Sequence, residues 1–455
     1  MFKIDELVKA AGAKLIRPGR EMSVKGISTD SRKILKGQAF VAIKGGNFNG
    51  HDFIGIAIKK GASCIIKEPY FDDKKYAGDK IAFLEVKDTV SAYGNIASYW
   101  RRKFDIPLIA VTGSNGKTTV KEMVAWVLSA QYNILKNEGT QNNHIGLPKA
   151  LLRLKKDHQA AVLELGTNHR KEIEYLARIS LPNIGIITNI GPAHLGNFGG
   201  LKDVFREKYS LINNLQQPYL AVLNRDDPFL KNRVFRPDKH PFCLGFSVKN
   251  KSDFYVSRAK VSAKELVFWV NAKHAFRLKT VAYHNLYCAL PAISLGRIFG
   301  MGYKAIAQRL SDFKFPAGRF NLVKKNRISF IDDTYNANPA SLEKALDALE
   351  CIRSKGRKIF VMGDMLELGE KSRLFHSQAL KKAAAFCDML ITVGRLSKAA
   401  VEDAKICSTG NSKIFCCDTS SQARRLLKDG IRPQGEDIVL VKGSRAMKME
   451  EVLKS

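Results

Sequence analysis

Hydrophobic positions along the chain fall into two recurring patterns, short apolar runs and longer stretches with a helical period. Near the start, Ile4, Leu7 and Val8 form a brief amphipathic turn, and the run from Ala39 to Ile43 predicts a strand. A glycine-rich loop and a helix ending near Gly61 follow. From Val86 to Phe104 the spacing is helical, and Pro107 then opens the apolar run Leu108 to Val111. Further runs at 160–165, 184–190 and 219–223 alternate with helical stretches, the pattern of a parallel sheet with crossover helices. Pro316-Ala317-Gly318-Arg319 punctuates the next change. Beyond it, runs at 328–331, 358–362, 389–393 and 438–441, each followed by a helical pattern, predict a smaller Rossmann-like unit. The expected architecture is α/β with three domains: a small N-terminal α/β domain at 1–84, a central parallel-sheet domain at 85–316, and a Rossmann-like domain at 317–455.

A length of 455 residues agrees with three domains at about 150 residues each. Apolar residues make up 45% and charged residues 26%, which excludes a wholly disordered chain. No uninterrupted apolar stretch reaches the ~18 residues a membrane helix needs, and the first residues lack the basic-then-apolar layout of a secretory signal. The eight cysteines show no CxxC pair and no metal-ligand spacing, so reduced thiols and a cytoplasmic location are expected. The charge is unusual: 75 Lys and Arg against 43 Asp and Glu give +32. Those bases are spread along the chain without interleaved aromatics. They suit a general basic surface that helps anionic substrates better than a nucleic-acid-binding function.

The strongest local signal is Thr112-Gly113-Ser114-Asn115-Gly116-Lys117-Thr118-Thr119, between the strand at 108–111 and an amphipathic helix. Strand, glycine loop and helix start together aim backbone N–H groups at a phosphate. Lys117 offers a cation and Thr118 a hydroxyl for Mg²⁺. The common GxxxxGK[ST] spacing requires glycine where Val111 stands, so this loop is a shortened variant. The bland alternative is an ordinary glycine turn before a helix.

Two further groupings are less specific. Glu164 and His194 lie at or just beyond strand ends, where ligands of open α/β sheets collect, and a carboxylate with an imidazole suits a divalent ion. Each is as readily structural, and Lys208, in Arg206-Glu207-Lys208-Tyr209, reads alone as a solvated lysine. The segment Asp332-Asp333-Thr334-Tyr335-Asn336-Ala337-Asn338-Pro339 runs from a strand into a helix. It serves equally as a ribose-binding acidic end or as a helix cap.

Together these segments resemble the Mur ligases, ATP-dependent amide-forming enzymes of peptidoglycan synthesis. The same order of motifs includes Asp30-Ser31-Arg32, Gly50-His51-Asp52-Phe53, Asn142-Asn143, Glu164-Leu165-Gly166, Asn189-Ile190-Gly191-Pro192-Ala193-His194 and Gly363-Asp364-Met365-Leu366-Glu367-Leu368-Gly369. The runs at 335–339 and 363–369 resemble most the branch that adds D-alanyl-D-alanine to UDP-N-acetylmuramoyl-tripeptide. The resemblance implies ATP bound by the loop from Gly113 through Ser114, Asn115, Gly116, Lys117, Thr118 and Thr119, with Asn285 at the adenine, Asp333 at the ribose and Arg319 at the γ-phosphate. It implies two Mg²⁺ ions among Thr118, Glu164, His194 and Lys208, with Lys208 as a carbamate. Lys117, His194, Lys208 and Arg319 become the expected catalytic groups. Ser31, Arg32, Gly46, Asn49, His51, Asn142, Asn143, Tyr335, Asn336 and Asn338 are the expected substrate contacts, and a monomer is expected.

Three positions depart from the family pattern: Asn49 where Asp is usual, Cys288 where a second Asn is usual, and Lys171 where Gly is usual. Two other readings remain. One is another ATP-dependent amide ligase, such as a folylpolyglutamate synthetase or a sibling adding one amino acid. The other is a nucleic-acid-stimulated P-loop ATPase.

Overall fold

The computed structural model describes residues 2–454 apart from residues 47, 77, 79, 193–194, 234–241, 263–264, 326 and 404–411. Three α/β domains follow one another along the chain, each on its own main sheet. The first sheet orders its strands Lys14–Arg17, Ala82–Glu85, Cys64–Lys67, Ala39–Val41 and Ile27–Ser28, parallel except at the Lys14–Arg17 edge. Helix Ile4–Ala11 buries Ile4, Leu7, Ala10 and Ala11 and stops where Gly12 turns left-handed.

Among the described residues the central sheet has nine strands. Leu108–Thr112 lies inside it, third from one edge, flanked by Ala160–Glu164 and Ile184–Ile187. Pairing is parallel from Ile134–Lys136 across to Phe254–Val261, then antiparallel through Leu266–Val270 and His274–Leu278. Register sets Glu164 beside Val111 and Ile187 beside Thr112, so three strand ends open into one crevice. The fully buried Val and Ile of these strands are what a sheet covered on both faces requires. The C-terminal sheet orders Asn321–Lys325, Ile328–Asp333, Ile438–Lys442, Lys358–Gly363, Met389–Val393 and Lys413–Cys417, parallel except for its first strand.

Helix Thr89–Arg101 is shorter than the periodicity suggests. The Asp88 carboxylate accepts the Val90 and Ser91 N–H groups and fixes its start. Its Tyr93, Ile96 and Ala97 share one apolar cluster with Leu7 of the first domain and Leu163 of the second. Gly94 is required there, because a Cβ would collide with the Tyr175 hydroxyl. The hairpin strands at 254–278, the edge strand at 321–325 and the strand at 413–417 lie outside the apolar runs read from the sequence. Leu266–Val270 alternates buried and half-buried positions, so it presents no continuous run. After Ile438–Lys442 come 3₁₀ turns, Arg445–Met447 and Met449–Leu453, in place of the expected helix. Among the described residues no helix is long and apolar enough to cross a membrane.

Candidate functional site

The crevice at the central strand ends holds the glycine loop. Gly113 takes φ +148° and lies so close to Thr188 that a Cβ there would strike the Thr188 hydroxyl, so no side chain fits. The Asn115 N–H donates to Asn189 Oδ1 at 3.1 Å, and Asn189 Nδ2 returns a bond to the Asn115 carbonyl at 3.0 Å. Gly116, left-handed at φ +82°, leads into helix Lys117–Leu128. The Lys117 ammonium curls back onto the Gly113 and Ser114 carbonyls at 2.8 and 3.3 Å. Burial holds its pKa below the ordinary lysine value, with Glu164 opposing and Arg319 reinforcing that shift.

Glu164, at its strand end, is shared between two neighbours. Thr118 Oγ1 donates to its Oε2 at 2.7 Å and Asn142 Nδ2 to its Oε1 at 2.8 Å. Gly166 makes room for this arrangement, since a Cβ would sit 2.7 Å from the Asn142 amide. A hydroxyl and a carboxylate at this separation, open to a cavity, are the hard oxygen donors Mg²⁺ takes alongside phosphate oxygens.

The cavity, about 560 Å³, is walled by both the central and C-terminal domains. Ser114, Asn115, Gly116, Lys117, Thr118, Thr119, Asn142, Asn143, Glu164 and Asn285 line it from one side, and Arg319, Asp333, Tyr335, Asn336 and Asn338 from the other. Arg319 Nη2 donates to Thr118 Oγ1 at 3.2 Å, and its guanidinium lies 3.6 Å from the centre of the Tyr335 ring. Asn338 caps helix Pro339–Cys351 through the Ser341 N–H and donates from Nδ2 to Asn115 Oδ1 at 2.7 Å. Asn143 Oδ1 accepts the Gly146 N–H at 2.8 Å, just ahead of helix Gly146–Leu151. Asn336 accepts the Ala337 and Arg445 N–H groups. Asn285 is buried, with its Nδ2 on Thr280 Oγ1.

Lys208 differs from the solvated lysine its local sequence suggests. It is 2% exposed, on helix Leu201–Asn213, and is not among the residues that line the cavity. Burial and the nearby Lys117 charge lower its pKa to about 7, with Glu207 pulling the other way. His194 lies outside the described residues. The N-terminal candidates do not line this cavity. Arg32 extends into solvent, held by Asp30 at 2.9 Å, and Ser31 is buried. Gly46 lies open, with no atom within 4 Å of where a Cβ would stand. His51 is buried in the same loop. Its Nε2 accepts the Glu68 N–H at 3.0 Å and its Nδ1 lies within hydrogen-bond distance of Asn49 and Tyr70, so both ring nitrogens are engaged internally. Asn49 accepts the His51 N–H and Tyr70 hydroxyl, which keeps this loop folded.

Sequence reading missed several groups in the cavity wall. Lys442 is 2% exposed and donates to Asp333 Oδ2 at 2.6 Å and the Asn336 carbonyl at 3.0 Å. It occupies the last position of a parallel strand, beside Asp333 in register, so the strand-end rule points to it once the sheet order is known. His284, Tyr287 and Lys344 also line the wall. Burial, with Lys344 and Lys442 nearby, drops the His284 pKa to about 3 and keeps that imidazole neutral. Asn189, inside a motif that drew attention for His194, helps fasten the glycine loop, together with Thr188 and Gly191.

Residues 111–296 match the Mur ligase middle domain, 318–445 the Mur ligase glutamate ligase domain, and 23–101 the Mur ligase family catalytic domain. The UDP-N-acetylmuramoyl-tripeptide–D-alanyl-D-alanine ligase of Bacillus subtilis is 31% identical, over 99% of this chain and 96% of its own. That of Escherichia coli is 33% identical over 96% and 94%. Among solved structures, MurF from Acinetobacter baumannii superposes with a TM-score of 0.89 at 31% identity, covering 99% of this chain and 98% of that one. MurF of Thermotoga maritima, in complex with ADP, gives 0.82 at 28% identity, covering 94% and 96%. The chain belongs to the Mur ligase family, among relatives named as UDP-N-acetylmuramoyl-tripeptide–D-alanyl-D-alanine ligases.

Proposed function

We propose that this protein joins D-alanyl-D-alanine to UDP-N-acetylmuramoyl-tripeptide, cleaving ATP to ADP and phosphate, and so makes the UDP-muramoyl-pentapeptide precursor of peptidoglycan in the cytoplasm, as a monomer. The observation that carries this reading is a phosphate loop whose Thr118 and Glu164 face Arg319 across one cavity, in a chain that matches these ligases nearly end to end.

A carboxylate resists attack by an amine. Transfer of the γ-phosphoryl group to the tripeptide carboxylate breaks the bond to ADP and leaves an acyl phosphate. The dipeptide amine then forms a C–N bond to that carbonyl carbon, loses its proton, and phosphate departs with the C–O electrons. The chain need supply no covalent nucleophile; its residues position and neutralise. Lys117 would swing from its carbonyl contacts onto the triphosphate, and Arg319, braced on Tyr335, would meet the γ-phosphate from the other domain. Asn285 would meet the adenine and Asp333, oriented by Lys442, the ribose. Two Mg²⁺ ions, held by Thr118, Glu164, His194 and a Lys208 carbamate, would offset the charge of the phosphate oxygens when bound. Ser31, Arg32, Gly46, Asn49 and His51 would receive the uridine nucleotide. Asn142 and Asn143, with Tyr335, Asn336 and Asn338, would border the reacting ends.

A phosphate-release assay with each candidate acceptor tests the reading. Release is expected when UDP-muramoyl-tripeptide and D-alanyl-D-alanine are both present. Release driven by DNA or RNA, or by glutamate with a folate acceptor, would overturn it.

A further inference from the structure

We infer that Lys121 and Asn137 form a relay that fixes the Glu164 carboxylate at the phosphate loop, making both of them positioning residues for metal binding. The inference rests on the reading of Glu164 as a metal ligand. Lys121 lies one helical turn after Lys117 and is fully buried. Its ammonium donates to the Asn137 carbonyl at 2.7 Å and pairs with Glu122 Oε1 at 2.9 Å. Asn137, also fully buried, follows strand Ile134–Lys136. Both amide hydrogens and the amide oxygen are engaged. Oδ1 accepts the Glu164 N–H at 2.9 Å, while Nδ2 donates to the Glu164 carbonyl at 3.0 Å and the Gln141 carbonyl at 2.8 Å.

One amide therefore clamps both backbone groups of Glu164 and also the loop that carries Asn142, the side-chain partner of Glu164 Oε1. A shift at Asn137 would move the carboxylate and its partner together. Enclosing an ammonium is costly even when paired, and an apolar side chain of similar length would fill the same space. Keeping a cation there makes sense as a strong, charge-assisted hold on one carbonyl. The result ties the helix that bears Lys117 and Thr118 to the strand end that bears Glu164.

The test uses Mn²⁺ as the probe, followed by electron paramagnetic resonance with a non-hydrolysable ATP analogue, on full-length protein. Glu164→Gln, Lys121→Met and Asn137→Ser are compared, with circular dichroism as the check on folding. Lys121→Met and Asn137→Ser are each expected to weaken Mn²⁺ binding about tenfold, with the Kd for UDP-muramoyl-tripeptide changed less than about twofold. If Lys121→Met does not fold, Asn137→Ser decides alone. Wild-type Mn²⁺ affinity in the folded relay variants, beside clear weakening in Glu164→Gln, would overturn the relay and leave Glu164 as a ligand. Wild-type affinity in Glu164→Gln itself would overturn the reading beneath it.

Discussion

Replacing Lys208 with alanine tests the most demanding assignment in the site, a carbamate made from a buried lysine. Only the neutral amine adds CO₂. With a pKa of about 7, against the ordinary 10.5, Lys208 at pH 8 is mostly neutral, whereas a solvated lysine is almost wholly protonated. Burial and the Lys117 charge therefore raise the reactive form by roughly two orders of magnitude. The sign follows from the same shift: the amine stays available above pH 7 and is lost as pH falls through that value, so turnover should fall there. In the alanine variant the proposed anionic ligand is gone. Activity is expected to drop by ~10² or more, while UDP-muramoyl-tripeptide still binds, and formate or acetate should restore part of the rate. Carbon-13 NMR of wild-type protein equilibrated with labelled bicarbonate should show one protected carbamate, absent from the variant. A fully active Lys208→Ala enzyme, or a wild type without that signal at pH 8, would refute the reasoning.

Lys117→Ala should fold normally and lose turnover by ~10³ or more, because its ammonium sits in the loop and not in an apolar core; near-normal phosphate release would contradict this. Arg319→Lys keeps the charge but gives up the planar stack on Tyr335, so kcat should fall by ~10², read in the same assay. Gly113→Ala should abolish binding of a fluorescent ATP analogue, since its Cβ meets Thr188 and its φ is unsuited to a side chain. Lys171→Gly should hold or raise the thermal midpoint, because Lys171 sits at φ +68° where glycine is unstrained. The gain is at most about 1 kcal/mol after the flexibility of the unfolded chain is counted, and a clear loss would show that the lysine side chain has a role.

Much of the central and C-terminal domains was legible because their strands are continuous apolar runs and the central loop has a strict residue pattern. Leu108–Thr112, Ala160–Glu164 and Met389–Val393 fall within a residue of where the runs place them. The hairpin at 254–278 was not legible, since its exposed face breaks the runs. Of the site, Lys117, Thr118, Glu164, Arg319 and Tyr335 come together as the motif order suggests. Lys442 and Lys344 were hidden because nothing local marks them: one is a strand-end lysine, the other a mid-helix lysine, and only folding brings them to the cavity. The motif at 50–53 marks His51, but nothing local shows that the fold engages both its nitrogens with Glu68, Asn49 and Tyr70. Lys208 looked solvated from its neighbours because burial depends on which helix face meets the sheet.

The central claim is amide formation between two peptides at the expense of ATP, and the mass of the product tests it most directly. Purified protein incubated with ATP, Mg²⁺, UDP-muramoyl-tripeptide and D-alanyl-D-alanine should yield one new species, heavier than the tripeptide nucleotide by the dipeptide less one water. ADP should appear in equal amount, and omission of either peptide should abolish both. ADP formed without that species, or a product carrying a single amino acid in place of the dipeptide, would contradict the account.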